Sequence, residues 1–268
     1  MSAAETWFRR SPAFGRAGAA GLAGTVPGPV RTRLRLVCFP HAGGNSQLFR
    51  GWQARLPSDV EVLAVCYPGR RERMGEPCVE SMDELADRIT AALTPYRDLP
   101  LALFGHSMGA AVAYEVAGRL EAGSGEPPVR LLVSGRNAPH RIRPTALHRA
   151  ADEVLVAGVS RLGTLGGDVY SIPALRELLL PVLRSDYRLI ENYQPQQPVR
   201  LRTPITAYQG DRDPATAQAG VLGWEELTGG GFDQRSFPGD HFYLAPQESE
   251  LTADIAARLA NVGSGLMV

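Results

Sequence analysis

Gly105-His106-Ser107-Met108-Gly109 places a serine between two glycines, each two positions away. A serine hydroxyl attacks carbonyl carbon only when it projects freely, has a base to take its proton and faces donors for the charge that develops. The pentapeptide follows the apolar run Leu101–Phe104 and precedes the alanine-rich run Ala110–Leu120. A strand entering a helix through so short a turn strains the serine backbone and lifts its hydroxyl, and flanking glycines let strand and helix pass closely. The helix start also aims its dipole and free N–H groups at the developing oxyanion. A bare Gly-x-Ser-x-Gly in a glycine-rich chain carries little weight; with this context it reads as a nucleophile elbow.

Around such an elbow the partners follow the serine in the order acid, then histidine. The apolar run Pro204–Tyr208 ends in Gly210-Asp211-Arg212-Asp213-Pro214, a loop from which a carboxylate reaches an imidazole and fixes its tautomer. Asp213 is the preferred acid, with Asp211 as the alternative; aspartates in such loops also serve simply to shape turns. His241, in Gly239-Asp240-His241-Phe242, is the only histidine after these aspartates, so chain order selects it as the base. Phe39-Pro40-His41-Ala42-Gly43-Gly44 follows the first strand-like run. The oxyanion hole takes the backbone N–H of the residue after the nucleophile, Met108, and a second from this early loop, for which Ala42 is the best candidate. His106 is expected to point away from its neighbour Ser107, and His140 and His148 to be solvated. His41, His106 and His241 match no metal-ligand spacing, so no metal is expected.

These residues need a scaffold that brings distant loops together. Leu34–Phe39, Val60–Cys66, Leu101–Phe104, Arg130–Ser134, Pro204–Tyr208 and Asp233–Phe237 read as strands, most of them continuously apolar. Helical patterns stand between them: Ser81-Met82-Asp83-Glu84 resembles a capping box ahead of Leu85, Ile89, Ala92 and Leu93, and Leu251, Ile255 and Leu259 share one face near the C-terminus. Apolar strands alternating with helices predict a mostly parallel sheet covered on both faces, with ligands at the carboxyl ends of its strands. Every motif above falls at such an end, which makes the predicted fold class α/β, of the α/β-hydrolase type. Residues 139–198 break the alternation with helical patterns, clearest over Ala174–Tyr193, and no strand; this predicts a lid insertion. The expected organisation is a flexible N-terminal tail over 1–30 and one domain over 31–262.

The chain has 268 residues, enough for one substantial core, and its Lys plus Arg and Asp plus Glu both number 28. This balance gives no electrostatic reason to expect nucleic acid or an anionic membrane. Three cysteines, Cys38, Cys66 and Cys78, fit a reducing, cytoplasmic setting better than a disulfide framework. Arg9-Arg10 faintly suggests a twin-arginine export signal, but the stretch behind it is glycine-rich, contains Arg16 and makes a poor signal core.

Taken together, the segments Cys38–Gly44, Tyr67-Pro68-Gly69-Arg70-Arg71-Glu72-Arg73, Gly105–Ala110, Gly210–Asp213 and Phe237–Leu244 resemble the type II thioesterases that accompany polyketide synthases and nonribosomal peptide synthetases. The resemblance extends from about residue 34 to 260 and favours Asp213 as the acid, with Ala42 and Met108 as the oxyanion donors. It implies hydrolysis of acyl thioesters on the phosphopantetheine arm of acyl carrier protein domains, through an acyl-serine and without a cofactor of the enzyme's own. It also puts the arginines of Tyr67–Arg73 near the site mouth, within reach of the pantetheine phosphate, although solvated surface charge is the plainer reading of each. The competing expectations are a carboxylesterase or lipase acting on oxygen esters, a chain-terminating thioesterase, and an inert binding module on the same fold.

Overall fold

The computed structural model describes residues 6–10, 31–143, 145–163, 167–260 and 262. Among the described residues seven strands form one sheet: β1 (Phe8–Arg10), β2 (Leu34–Phe39), β3 (Val60–Val65), β4 (Leu101–His106), β5 (Arg130–Ser134), β6 (Ile205–Gly210) and β7 (Phe232–Phe237). Their order across the sheet is β1-β3-β2-β4-β5-β6-β7. Strands β2 to β7 pair in parallel, and only β1 is antiparallel to its neighbour.

Strands β2 to β6 are largely apolar on both faces because both are covered, whereas the outer β7 buries only Phe237. Successive side chains point to opposite faces. Val37, Leu63, Leu103, Leu131 and Val133 accordingly pack beneath α1 (Met82–Leu93) and α2 (Met108–Ala122). Leu36, Val62, Ala102, Phe104 and Leu132 face Phe49, Trp52 and α6 (Glu248–Leu259), which buries Leu251, Ile255 and Leu259. Helix α1 begins at the anticipated cap, where Ser81 Oγ accepts from Glu84 N at 3.4 Å. Between β5 and β6, the described residues of 139–198 contain no strand. They form α3 (Asp152–Ser160), α4 (Pro173–Asn192) and short 3₁₀ turns. A further short helix, α5 (Gln218–Leu222), follows β6.

The N-terminal expectation needs correcting. Phe8–Arg10, placed by the sequence reading in a flexible tail, pairs in register with Leu63–Val65. Trp7 and Phe8 are buried, Trp7 O accepts from Cys66 N at 2.8 Å, and the Arg73 guanidinium lies 4.0 Å over the Trp7 ring. Two aromatic side chains supply enough burial to fix a segment that three residues of pattern could not reveal. The remainder of 1–30 lies outside the described residues. Cys38 and Cys66 are buried free thiols and Cys78 is a half-buried one.

Candidate active site

Ser107 stands between β4 and α2 with φ 56° and ψ −117°, a conformation that side chains other than glycine's rarely adopt. The close approach inferred from the sequence is literal. A Cβ on Gly105 would lie 2.1 Å from Gly109 O, and one on Gly109 would lie 2.1 Å from Phe39 O. The start of α2 is thus packed onto the end of β2, which brings the 39–44 loop alongside Met108. Ser107 N donates to Ser134 O at 2.8 Å, tying the elbow to the end of β5.

Asp213 and His241 meet although they come from different loops. His241 Nδ1 donates to Asp213 Oδ2 at 2.8 Å, with the two residues 1% and 7% exposed. Asp213 is held in turn by Ala215 N, which donates to Oδ1 at 2.8 Å. A carboxylate can only accept, so the imidazole proton sits on Nδ1 and the Nε2 lone pair is left as a base. Nε2 is buried and has no hydrogen-bond partner among the described residues, so Ser107 Oγ and His241 are not bonded here. Such contacts commonly tighten only when substrate is bound. Asp211, the alternative acid, makes a different bond: its Oδ1 accepts from Gly239 N at 2.8 Å, which shapes the loop beneath His241.

The other histidines were only partly legible. His106 does point away from a base's position: its Nδ1 meets Ser134 Oγ at 2.9 Å, and that hydroxyl meets Tyr243 OH at 2.6 Å. Its ring lies 4.9 Å from that of His241, which it supports from one side. His41 packs edge-on to Phe242 with centroids 5.1 Å apart. Burial holds His106 well below the usual imidazole range and lowers His41 to about 3, with smaller contributions from neighbouring positive charge. Both are therefore neutral supports. Among the described residues no group of three His, Cys, Asp or Glu side chains is placed to hold a metal ion.

The expectation of solvated charge was wrong for His148 and for two of the three arginines of 67–73, whereas Arg71 is exposed as expected. His148 is buried at 8% exposure, with Nδ1 2.5 Å from Glu191 Oε2. Arg70 and Arg73 are also buried: Arg70 forks onto Asp186 of α4, and Arg73 pairs with Glu76 and donates to Cys66 O. Neither guanidinium is free for a phosphate. Asp186 was not singled out from the sequence, because a carboxylate on an amphipathic helix carries no mark of burial.

Comparison with known proteins places this geometry in a lineage. The family model described as a thioesterase domain matches residues 34–259. Thioesterase PikA5 of Streptomyces venezuelae is 41% identical over 234 residues, which are 87% of this chain and 83% of PikA5. The structure of RedJ, a thioesterase of the prodiginine biosynthetic pathway in Streptomyces coelicolor, superimposes with a TM-score of 0.80 at 38% identity, over 91% of this chain and 92% of RedJ. BorB, a type II thioesterase from the borrelidin biosynthetic cluster, gives a TM-score of 0.81 at 35% identity, over 95% and 98% of the two chains. A strained serine after β4, a buried histidine–aspartate pair after β6 and β7, and likeness along almost the whole domain agree with one another: the chain belongs to the thioesterase family of α/β-hydrolase-fold enzymes.

Proposed function

We propose that this enzyme is a type II, editing thioesterase, clearing acyl groups from the phosphopantetheine arm of acyl carrier protein domains in polyketide or nonribosomal peptide assembly. The observation that carries the reading is the buried Asp213–His241 pair behind a strained Ser107, in a domain alike from end to end to thioesterases named for such pathways.

Ser107 Oγ attacks the thioester carbonyl while His241 Nε2 takes its proton, and Asp213 stabilises the resulting imidazolium. The N–H groups of Met108 and Ala42 receive the oxyanion. Collapse breaks the C–S bond, His241 returns the proton to the departing thiolate, and the acyl group stays on Ser107. Water, deprotonated by the same histidine, then releases the acid. Every proton transfer uses the chain's own side chains, and the pantetheine belongs to the substrate, so the reaction requires no resident cofactor. The helices of 139–198 act as the lid over this site. No helix among the described residues is long and apolar enough to cross a membrane. Three free thiols and a carrier-bound substrate support a cytoplasmic setting.

The test incubates the protein and its Ser107→Ala variant with propionyl-loaded carrier protein and follows the carrier by intact mass. Deacylation by the parent alone is the expected result. Ser107 labelling by a fluorophosphonate with the acyl-carrier left intact would keep the triad, reject the substrate and turn attention to oxygen esters. Absence of labelling would reject the triad.

A further inference from the structure

The turn His41-Ala42-Gly43-Gly44 is pinned from three sides. Gly44 N donates to His41 O at 2.9 Å and closes it. Gly43 N donates to Asp186 Oδ2 at 2.7 Å, and Gly44 O accepts from Arg70 Nη1 at 3.0 Å. The same guanidinium forks onto Asp186, with 2.7 Å from Nη1 to Oδ2 and 2.7 Å from Nη2 to Oδ1. Tyr67 OH adds a bond to Pro40 O at 3.3 Å. Gly43 has φ 73°, and a Cβ there would lie 3.0 Å from Leu183 Cδ1 and 3.3 Å from Tyr170 OH, so α4 and the turn before it rest directly on the loop.

Arg70 is 6% and Asp186 3% exposed. Two charges kept so far from water need a reason beyond stability, because apolar residues of similar size commonly serve a core as well. The geometry supplies one. None of these bonds uses the Ala42 N–H. In a trans peptide the N–H points opposite to the preceding carbonyl, so drawing His41 O into the turn turns the Ala42 N–H outward. Asp186 then fixes the next peptide plane, and Arg70 fixes the one after Gly44.

We propose that Asp186 is a positioning residue for the oxyanion hole: its carboxylate, carried on α4, holds the Ala42–Gly43 peptide so that the Ala42 N–H faces the developing oxyanion, with Arg70 as its clamp. The donor is then in place only while α4 is seated on the loop, which makes the lid part of the catalytic geometry as well as a cover. The inference rests on the reading of Ala42 as the second donor.

The test separates this from a merely structural ion pair with double variants. Arg70→Met with Asp186→Leu removes both charges and leaves Gly43 N without an acceptor. Arg70→Met with Asp186→Asn also removes both charges but keeps a side-chain oxygen for Gly43 N. Asp186→Ala in the Arg70→Met background is a second acceptor-free variant, so the comparison does not hang on one side chain. Four quantities are measured: Tm, kcat and KM on a small soluble acyl thioester, and the rate of Ser107 labelling by a fluorophosphonate. In the labelling step the Oγ–P bond forms, fluoride leaves and the serine proton passes to His241, whatever the natural substrate.

The acceptor-free variants are expected to lose about 10- to 100-fold in labelling rate and kcat with KM little changed, as displacement of an oxyanion donor should produce. The Asn variant, which keeps an acceptor for Gly43 N, should recover most of that loss and label well above both acceptor-free variants. Equal rates for the Asn and acceptor-free variants, or losses that simply follow Tm, would overturn the proposal. If the parent leaves carrier-bound acyl groups intact yet the acceptor-free variants label slowly, positioning stands and the substrate reading fails. If the parent deacylates carriers and all variants label alike, the substrate reading stands and positioning fails.

Discussion

Ser107 occupies backbone angles that cost an ordinary residue on the order of 1–3 kcal/mol, because its Cβ crowds the chain. Replacing it with glycine should abolish activity and raise stability by about 1 kcal/mol or more relative to Ser107→Ala, read as a higher denaturant midpoint. Burial of His41 gives a second expectation. Its folded pKa is about 3 against an unfolded value near 6.5, so between those values the unfolded chain binds the extra proton. Stability from this group is therefore constant above pH ~6.5 and falls as pH drops towards about 3. Urea midpoints at pH 7 and pH 4.5 should differ less in a His41→Asn variant than in the parent. At this scale Ser107, Asp213 and His241 were legible because chemistry demands those residue types in that chain order. Asp186 was not, since its partner Arg70 lies 116 residues away and no local spacing encodes a tertiary ion pair.

Helices and strands obeyed the sequence wherever a repeat could build up. The capping serine of α1, the one-sided α6 and strands β2 to β6 lie where apolar patterning put them, because each is long enough for burial to impose a pattern. Shorter pieces escaped. The 3₁₀ turn Leu147–Arg149 is organised by Glu191 of α4, whose carboxylate accepts from Leu147 N at 2.8 Å and His148 N at 2.9 Å as well as from His148 Nδ1 and Thr145 Oγ1. Burial alone would raise the Glu191 pKa, but these donors hold it below the usual carboxylate range. Its contribution to stability is thus present above about pH 4.5 and lost as pH falls through the lowered value. Glu191→Ala should cost about 1–3 kcal/mol by stranding buried donors, whereas Glu191→Gln, which keeps one accepting oxygen, should cost less. Denaturant unfolding near neutral pH checks the order.

Across the whole molecule, parallel strands deliver the loops after β2, β4, β6 and β7 to one end of the sheet, so residues from 39 to 241 converge. That arrangement leaves two outer strands, and the protein treats them differently. Strand β7 carries Asp233 and Arg235, which pair with Arg258 and Asp254 of α6; charge on an outer strand discourages stray pairing. Strand β3 reads Val60-Glu61-Val62-Leu63-Ala64-Val65, and β1 occupies its outer side along Leu63–Val65. Without β1 that apolar ladder would present open N–H and C=O groups to any other strand it met. The three-residue β1 therefore covers part of a sheet edge that would otherwise be open to pairing. A chain lacking residues 1–10 should form concentration-dependent aggregates visible by light scattering, while a Phe8→Ala chain, which keeps the backbone pairing, should lose stability but remain dispersed.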